Sequence, residues 1–418
     1  QDHVEKNLLF AATEYIIYFS INSGGKWTKL NGGVPIISFR DLAIHKREND
    51  LVGASFGRGF YVFDDISVFR GLSKEQMSDT GTLFPVRKAW WYIPRSHLGF
   101  GDRPKGTQGD GYFTAPNPPF GAVFTFHLAE GLESKADQRK KNEESIIKKG
   151  KEVGFPGWNT VEAERREMKP RILFEIKDRN GNTVRRIEGP TSKGFHRVAW
   201  DLRYPSPNAV TVGKSSEQGA GFLVAPGTYS VSMHAQIDGN ITQLSESQQF
   251  DVVPLRRGAL PTKGYSQIAD FWRQYEQTAK RASAVQVTVG NTLKKIARMQ
   301  TALDHSNADV GNLDSRLHAI RSSILDMDEA LSGNRSKMAP GEKNNPTVGN
   351  RLFVVQRVIE YSTYGPTATA VENLALAKKG LDNIYSQLNQ NKMDLDALSR
   401  RLTKAGAPWV EGDQVPKK

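Results

Sequence analysis

Apolar and polar residues alternate in short runs through the first 70 residues, and the runs are separated by Gly, Asn, Asp and Pro. Alternation with a period of two predicts half-buried strands over 8–12, 16–20, 26–30, 37–44, 51–55 and 60–63. Further strands are predicted over 83–94 and 121–128, with a loop rich in Gly, Pro, Asp and Asn at 99–119 between them. Residues 130–168 are heavily charged and lack an apolar stripe, which predicts an exposed insertion with a polar helix over 135–151, broken at Phe155-Pro156-Gly157-Trp158. Strand character returns over 171–177 and 183–187, joined by a turn containing Asn180-Gly181. It continues over 195–203, with Trp200 assigned to the core, and over 224–233 and 248–253. The strands at 83–94 and 121–128 are expected in the same sheets, so the charged segment interrupts them. Beyond 254–261 the period lengthens to that of a helix: Ile268, Phe271, Trp272, Tyr275 and Ala279 share one face, continued by Val285, Val289, Leu293 and Ile296. A second helix is predicted from about 309, then a polar linker over 332–349, helices over 351–360, 367–389 and 392–404, and a polar, frayed tail over 406–418. The fold class is therefore multidomain, β followed by an α-helical bundle.

The stretch Ser20-Ile21-Asn22-Ser23-Gly24-Gly25-Lys26-Trp27 lies between two of the apolar runs. Its chemistry is that of a tight hairpin. The Asn side chain bonds its own backbone, the glycines take positive φ, and the Trp folds under the turn. Around it, Asn7-Leu8-Leu9-Phe10, Leu30-Asn31-Gly32-Gly33-Val34-Pro35, Arg40-Asp41-Leu42-Ala43-Ile44-His45 and Gly57-Arg58-Gly59-Phe60-Tyr61-Val62-Phe63-Asp64-Asp65 follow in one order.

These residues resemble the end of a sortilin/Vps10-like BNR-repeat propeller, a family of large secreted bacterial proteins often labelled glycosyl hydrolases. Ser20, Asn22, Gly24 and Trp27 stand where the family has its structural Asp-box, with Asn22 in place of the usual Asp and Lys26 in place of the usual Thr. The resemblance implies that residues 1–70 are terminal β-propeller blades. A propeller buries each blade against its neighbours. Upstream blades are therefore expected as a partner, on a separate or cleaved chain. Residues 71–258 resemble a fibronectin-III or immunoglobulin-like β-sandwich, and 259–405 a helical bundle. The resemblance further implies export, to the periplasm, outer-membrane surface or medium of a Gram-negative bacterium. The opening Gln1-Asp2-His3 carries no initiator Met or apolar leader, so any signal peptide is expected to have been removed or to lie elsewhere.

At 418 residues the chain is expected to hold two to four domains. No apolar run approaches the roughly 20 residues of a membrane span. The absence of cysteine excludes disulfides, thiol catalysis and Cys-ligated metals. A net charge of +12 raises the question of nucleic acid. In the charged stretches, however, Lys and Arg alternate with Glu and Asp, which reads as a solvated face, with an anionic surface as the alternative.

No complete catalytic set is present. Asp64 and Asp65 are neighbours in a strand-like run and point to opposite faces, so they cannot flank one glycosidic bond. Asp41 with His45, and His196 with Asp201, lack a third partner, and no Gly-x-Ser-x-Gly occurs. His3, His45, His97 and His127 are dispersed, so no metal site is expected, and no cofactor. Gly57-x-Gly59 precedes a strand, not the helix of a dinucleotide site. The candidate ligand-binding residues are Arg58, aimed at a propeller's central face, and Trp90, Trp91 and Tyr92, whose rings could stack on a glycan or grip a protein. The leading expectation is a non-catalytic scaffold within a cell-surface assembly. The alternative is the end of a sialidase-like hydrolase whose active site lies on other blades.

Overall fold

The computed structural model describes residues 1–95, 109, 111, 113–211, 221–256, 258, 264–307, 311–413 and 415. Its order is β then α, and the chain divides into two compact units: Gln1–Leu202 with Pro226–Leu255, and Arg203–Ala225 with Arg256–Lys418.

The first unit opens with two antiparallel three-stranded sheets. One contains β1 (Leu9–Ala12), β2 (Ile17–Ser20) and β3 (Thr28–Lys29), the other β4 (Phe39–His45), β5 (Asp50–Ser55) and β6 (Phe60–Phe63). All six lie within one or two residues of the predicted runs. Ile17, Leu30, Phe39, Leu51 and Ile66 form one core between the sheets, with Phe19, Tyr61 and Phe69 packed against it.

The β2–β3 turn is tied by its own side chains. Ser20 Oγ donates to Asn22 Oδ1 at 2.9 Å and accepts the Gly24 amide at 2.9 Å, while Asn22 Oδ1 accepts the Lys26 amide at 2.8 Å. Positive φ falls on Ser23 and Gly24 rather than on both glycines. The Trp27 ring lies close to Gly24 and keeps a solvent-facing side. A 3₁₀ turn, Ile66–Gly71, then leads to the short helix α1 (Lys74–Ser78), which is closed by a Ser73/Gln76 capping box. The turn also carries Arg70, which binds the buried Asp2 carboxylate through two nitrogens at 2.9 and 3.0 Å and so pins the start of the chain.

The run expected as one strand over 83–94 is two: β7 (Gly81–Leu83) and β8 (Ala89–Trp91), in different sheets. Between them, Pro85 has no amide hydrogen to continue a ladder. β9 (Ala122–Leu128) is followed by α2 (Lys135–Lys148) and α3 (Trp158–Arg166), neither of which buries a residue. Then come β10 (Arg171–Asp178), β11 (Thr183–Gly189), β12 (Gly194–Trp200), β13 (Gly227–Ile237), β14 (Asn240–Gln243) and β15 (Gln248–Pro254). One sheet has the order β11-β10-β13-β15-β8 with β14 beside β13, and the other has β12-β9-β7. β8 joins β15 in parallel; the other pairs are antiparallel.

Alternation fills the core between these sheets. Ile172, Phe174 and Ile176 of β10 are fully buried and face Phe124 and Phe126 of β9. Trp200, also fully buried, meets Tyr229 and Phe250 edge-on at 5.4 and 6.2 Å. On the opposite face of β10, Glu175 accepts hydrogen bonds from Arg186 (2.8 Å) and Thr183 (3.1 Å) and pairs with Lys177 (3.0 Å). Partial burial pushes its pKa up, but these partners outweigh it and hold the carboxyl at about 2. A depressed folded-state pKa contributes stability above the ordinary value of 4.5, and that contribution disappears as pH falls towards 2. Since Arg186 and Lys177 are solvent-screened, the loss is expected to be roughly 1–3 kcal/mol. Acid titration of urea midpoints checks it: Glu175→Gln should flatten that limb.

In the second unit, Tyr204 and Phe222 are linked by a backbone hydrogen bond, and Phe222 meets Tyr275 edge-on at 5.1 Å. The helices are α4 (Tyr265–Asp304), α5 (Leu313–Ser332), the single turn α6 (Arg335–Met338), α7 (Val348–Tyr361) and α8 (Ala368–Lys404). The four long ones pack on one another. The two helices expected over 367–389 and 392–404 are one, because Leu381, Ile384, Leu388, Leu395, Leu398 and Leu402 hold a single buried face through Asn389-Gln390-Asn391. Asn391 stays helical, donating to the Gln387 carbonyl and to Ser323 Oγ. The tail, expected to fray, is tied down at 410–413: Val410 is buried, Lys295 pairs with Asp413 at 2.9 Å and Arg298 with Glu411 at 2.7 Å.

Candidate functional site in the β-rich unit

A cluster of charges gathers at the β4–β5 turn, where Asn49 takes a positive φ and Glu48 and Asp50 are half-buried. Glu48 accepts Trp90 Nε1 at 3.0 Å and Arg47 Nε at 2.8 Å, and Arg87 reaches both its carbonyl (2.9 Å) and its carboxylate (3.3 Å). Asp50 accepts the Asp65 amide at 2.9 Å, and Arg197 donates to the Asp65 carbonyl at 3.0 Å. Asp65, itself left-handed, accepts the amide and hydroxyl of Ser67. Asp64 is the perturbed acid of the group. Burial and the neighbouring Asp50 charge raise its pKa, against the opposing pull of Arg197 and Arg87. A cavity of about 60 Å³ is lined by Asp64, Asp65, Arg87, Pro118, Pro119 and Arg197. It has room for a few waters and none for a sugar ring.

This arrangement ties segments of the unit together. Asp64 and Asp65 follow β6 instead of lying in a strand, and both line this cavity, Asp65 also capping the 3₁₀ turn through Ser67. His45 stands 3.9 Å from Asp50, and Asp41 accepts its neighbour's amide, so the two do not meet each other. His196 donates to the Ser192 carbonyl while Asp201 pairs with Arg185, so those two are also apart. Among the described residues no group of His, Asp or Glu is placed to hold a metal, and no helix is long and apolar enough to cross a membrane. His97 and most of the 99–119 loop lie outside the described residues.

The aromatic candidates separate. Trp91 is buried against the β-core, out of a ligand's reach. Trp90 is half-buried, with Lys88 at 4.6 Å and Arg47 at 6.0 Å from its ring. Tyr92 remains open on one side and rests edge-on against Phe120 at 4.9 Å. Arg58 sits at the β5–β6 turn between Gly57 and Gly59, both at positive φ, and makes no ion pair among the described residues.

Beside Arg58 is a feature that strand-by-strand reading did not find. Cross-strand register places Ala43 opposite Val52, Val52 opposite Val62 and Ala54 opposite Phe60. These residues form an apolar strip on one face of the β4-β5-β6 sheet, which it shares with Asp41, opposite Ala54, and His45, opposite Asp50, while Leu51, Tyr61 and Phe63 face the core. On the outward face Phe60 is 76% and Val62 56% exposed, and Phe56, 68% exposed, has the Arg40 guanidinium 5.1 Å from its ring. The signal was available in Phe60-Tyr61-Val62-Phe63, an unbroken apolar run of the kind found in strands buried on both sides.

A cleft of about 610 Å³ in the second unit lies between α5, α7 and α8 and is lined by polar residues including Asn334, Asn344 and Asn383. Asn334 and Asn344 bond to each other across the 333–347 connection, so part of this lining holds the connection itself. No protein-family model matches the chain, and no curated protein matches it either.

Proposed function

We propose that this chain is a non-catalytic binding or scaffold part of an exported cell-envelope protein, and that it docks through the outward face of β4-β5-β6. The observation that carries this reading is a three-stranded sheet whose outward face holds an apolar strip, between Asp41 and His45, that nothing among the described residues covers. An exposed Phe60, Val62 and Phe56 cluster costs solubility unless a partner buries it. Both small sheets are antiparallel meanders in sequence order, which suits propeller blades, and the tied Ser20–Trp27 turn suits the Asp-box resemblance. A neighbouring blade, carried on another polypeptide segment or chain, would complete the stack. The shared core of the six- and three-stranded sheets supports a sandwich of the fibronectin-III or immunoglobulin kind behind these blades. Arg58 borders the proposed docking face, and Tyr92 is the most open of the ring candidates for a glycan or protein contact.

Purified alone, the chain should bind a hydrophobic dye and self-associate, and Phe60→Glu with Val62→Lys should abolish both without changing the circular dichroism spectrum. A parent chain that stays monomeric and dye-silent at high concentration would refute the docking face. Release of sugar from sialylated or neutral glycans by the chain would refute the non-catalytic role.

A further inference from the structure

The helical hairpin α2–α3 has two unlike ends. The helices run antiparallel, since the Lys135 amide donates to Glu167 at 2.8 Å and Arg139 grips Glu164 at 2.6 and 3.0 Å. The pairing is concentrated at this base. Arg139 also holds Glu143 at 2.7 Å, Lys135 Nζ reaches Asp238 at 2.8 Å, and Lys141 pairs with Glu133. With 14 residues, α2 carries the far end about 21 Å from the base.

That far end is built differently. Ile147, Phe155 and Trp158 are 62%, 63% and 78% exposed, and the two rings meet edge-on at 4.8 Å. Lys148, Lys149 and Lys151 lie on the same stretch of chain, all exposed and none in an ion pair among the described residues, with Glu152 the one acid between Ile147 and Trp158. Gly150 and Gly157 take positive φ at the two ends of the α2–α3 connection. A cleft of about 510 Å³ runs between the helices, lined by Arg139, Glu143 and Glu164 and by Glu152, Val153 and Gly154 of the connection, while Ile147, Phe155 and Trp158 stay outside it.

We propose that this tip anchors the chain to an anionic lipid bilayer. Aromatic and aliphatic side chains on a protruding loop enter the boundary between headgroups and acyl chains, where an indole ring is favoured. Lysines at the same depth meet the phosphates, and each adds to binding electrostatically. A knob of this composition needs no matching pocket, which a bilayer does not have and a protein partner would have to supply. The anchor does not depend on the β4-β5-β6 docking face, which lies on other strands.

The test is co-sedimentation of the full chain with vesicles of phosphatidylglycerol and phosphatidylcholine, against phosphatidylcholine alone. Binding is expected to the mixed vesicles and to be at least about tenfold weaker on the neutral ones. The Phe155→Ser/Trp158→Ser variant should lose about tenfold or more. Lys148→Gln, Lys149→Gln and Lys151→Gln together should lose roughly fivefold per lysine at low salt, and less at high salt. Because the tip buries nothing, these variants should keep the parent's circular dichroism spectrum. Equal binding to both vesicle types, or full binding by the Phe155→Ser/Trp158→Ser variant, overturns the proposal. So does a parent dimer that this variant dissociates while vesicles bind neither form, which would assign the tip to a second copy of the chain.

Discussion

Gly121→Ala is expected to destabilise the β-rich unit by about 4 kcal/mol or more, at the upper end of what one methyl group can do. Gly121 immediately precedes β9 with φ at +108°, and a Cβ there would stand 1.9 Å from the Trp200 carbonyl oxygen and 2.9 Å from its carbon. The next residue, Ala122, pairs with Trp200 in the β9–β12 ladder, so the clash falls on backbone with no flexible end to yield. Backbone strain alone would cost about 1–3 kcal/mol. Gly33→Ala isolates that part, because φ there is +86° and a Cβ would meet nothing within 4 Å. Hydrogen exchange of the β9 and β12 amides across a denaturant series measures both. A Gly121→Ala loss no larger than that of Gly33→Ala would show that the close approach to Trp200 carries no weight.

Trp200→Ala should cost about 3–5 kcal/mol, the range for emptying an aromatic site that cannot collapse. Trp200 is fully buried, closes β12 and packs against Tyr229 of β13 and Phe250 of β15, so it bridges the two sheets. Trp200→Phe keeps most of the volume and should recover about half of the loss. Equilibrium urea unfolding followed by near-ultraviolet circular dichroism reads the difference. A loss below about 1 kcal/mol for the alanine variant would mean the sheets do not share that core. Because Gly121 touches the Trp200 backbone, the combined variant should fall short of the sum.

The chain's local patterns were legible to different depths. The first six strands and the tied turn at Ser20–Trp27 follow from alternation and from Asn and Gly chemistry, which act over a few residues. Trp200 was assigned to the core from its place in an alternating run, and it lies there. The contacts of Trp90 with Glu48, 42 residues away, and of Asp2 with Arg70, 68 residues away, have no local signature. Nor does the sharing-out of β7 and β8 between sheets, which a single apolar run disguised. The unity of α8 was hidden for the opposite reason: Asn389-Gln390-Asn391 is locally weak, and the buried leucine face on both sides of it carries the helix through. Tyr92 and Arg58 could be picked out as candidates by residue type, but whether a ring or a guanidinium is open to a ligand depends on what covers it.

By itself the sequence determined where the backbone alternates and where it coils, the order β then α, the polar character of the α2–α3 hairpin and the absence of any thiol chemistry. These depend on periodicity and composition, which are properties of near neighbours. Only the tertiary structure decided that Trp91 is buried while Phe60 is bare, that Glu48, Asp50 and Asp64 meet Arg87 and Arg197, and that Lys148, Lys149 and Lys151 make no ion pair among the described residues. Burial and ion pairing are set by which distant segments come together, and strand register and helix packing make that choice through contacts that a local window of sequence does not contain.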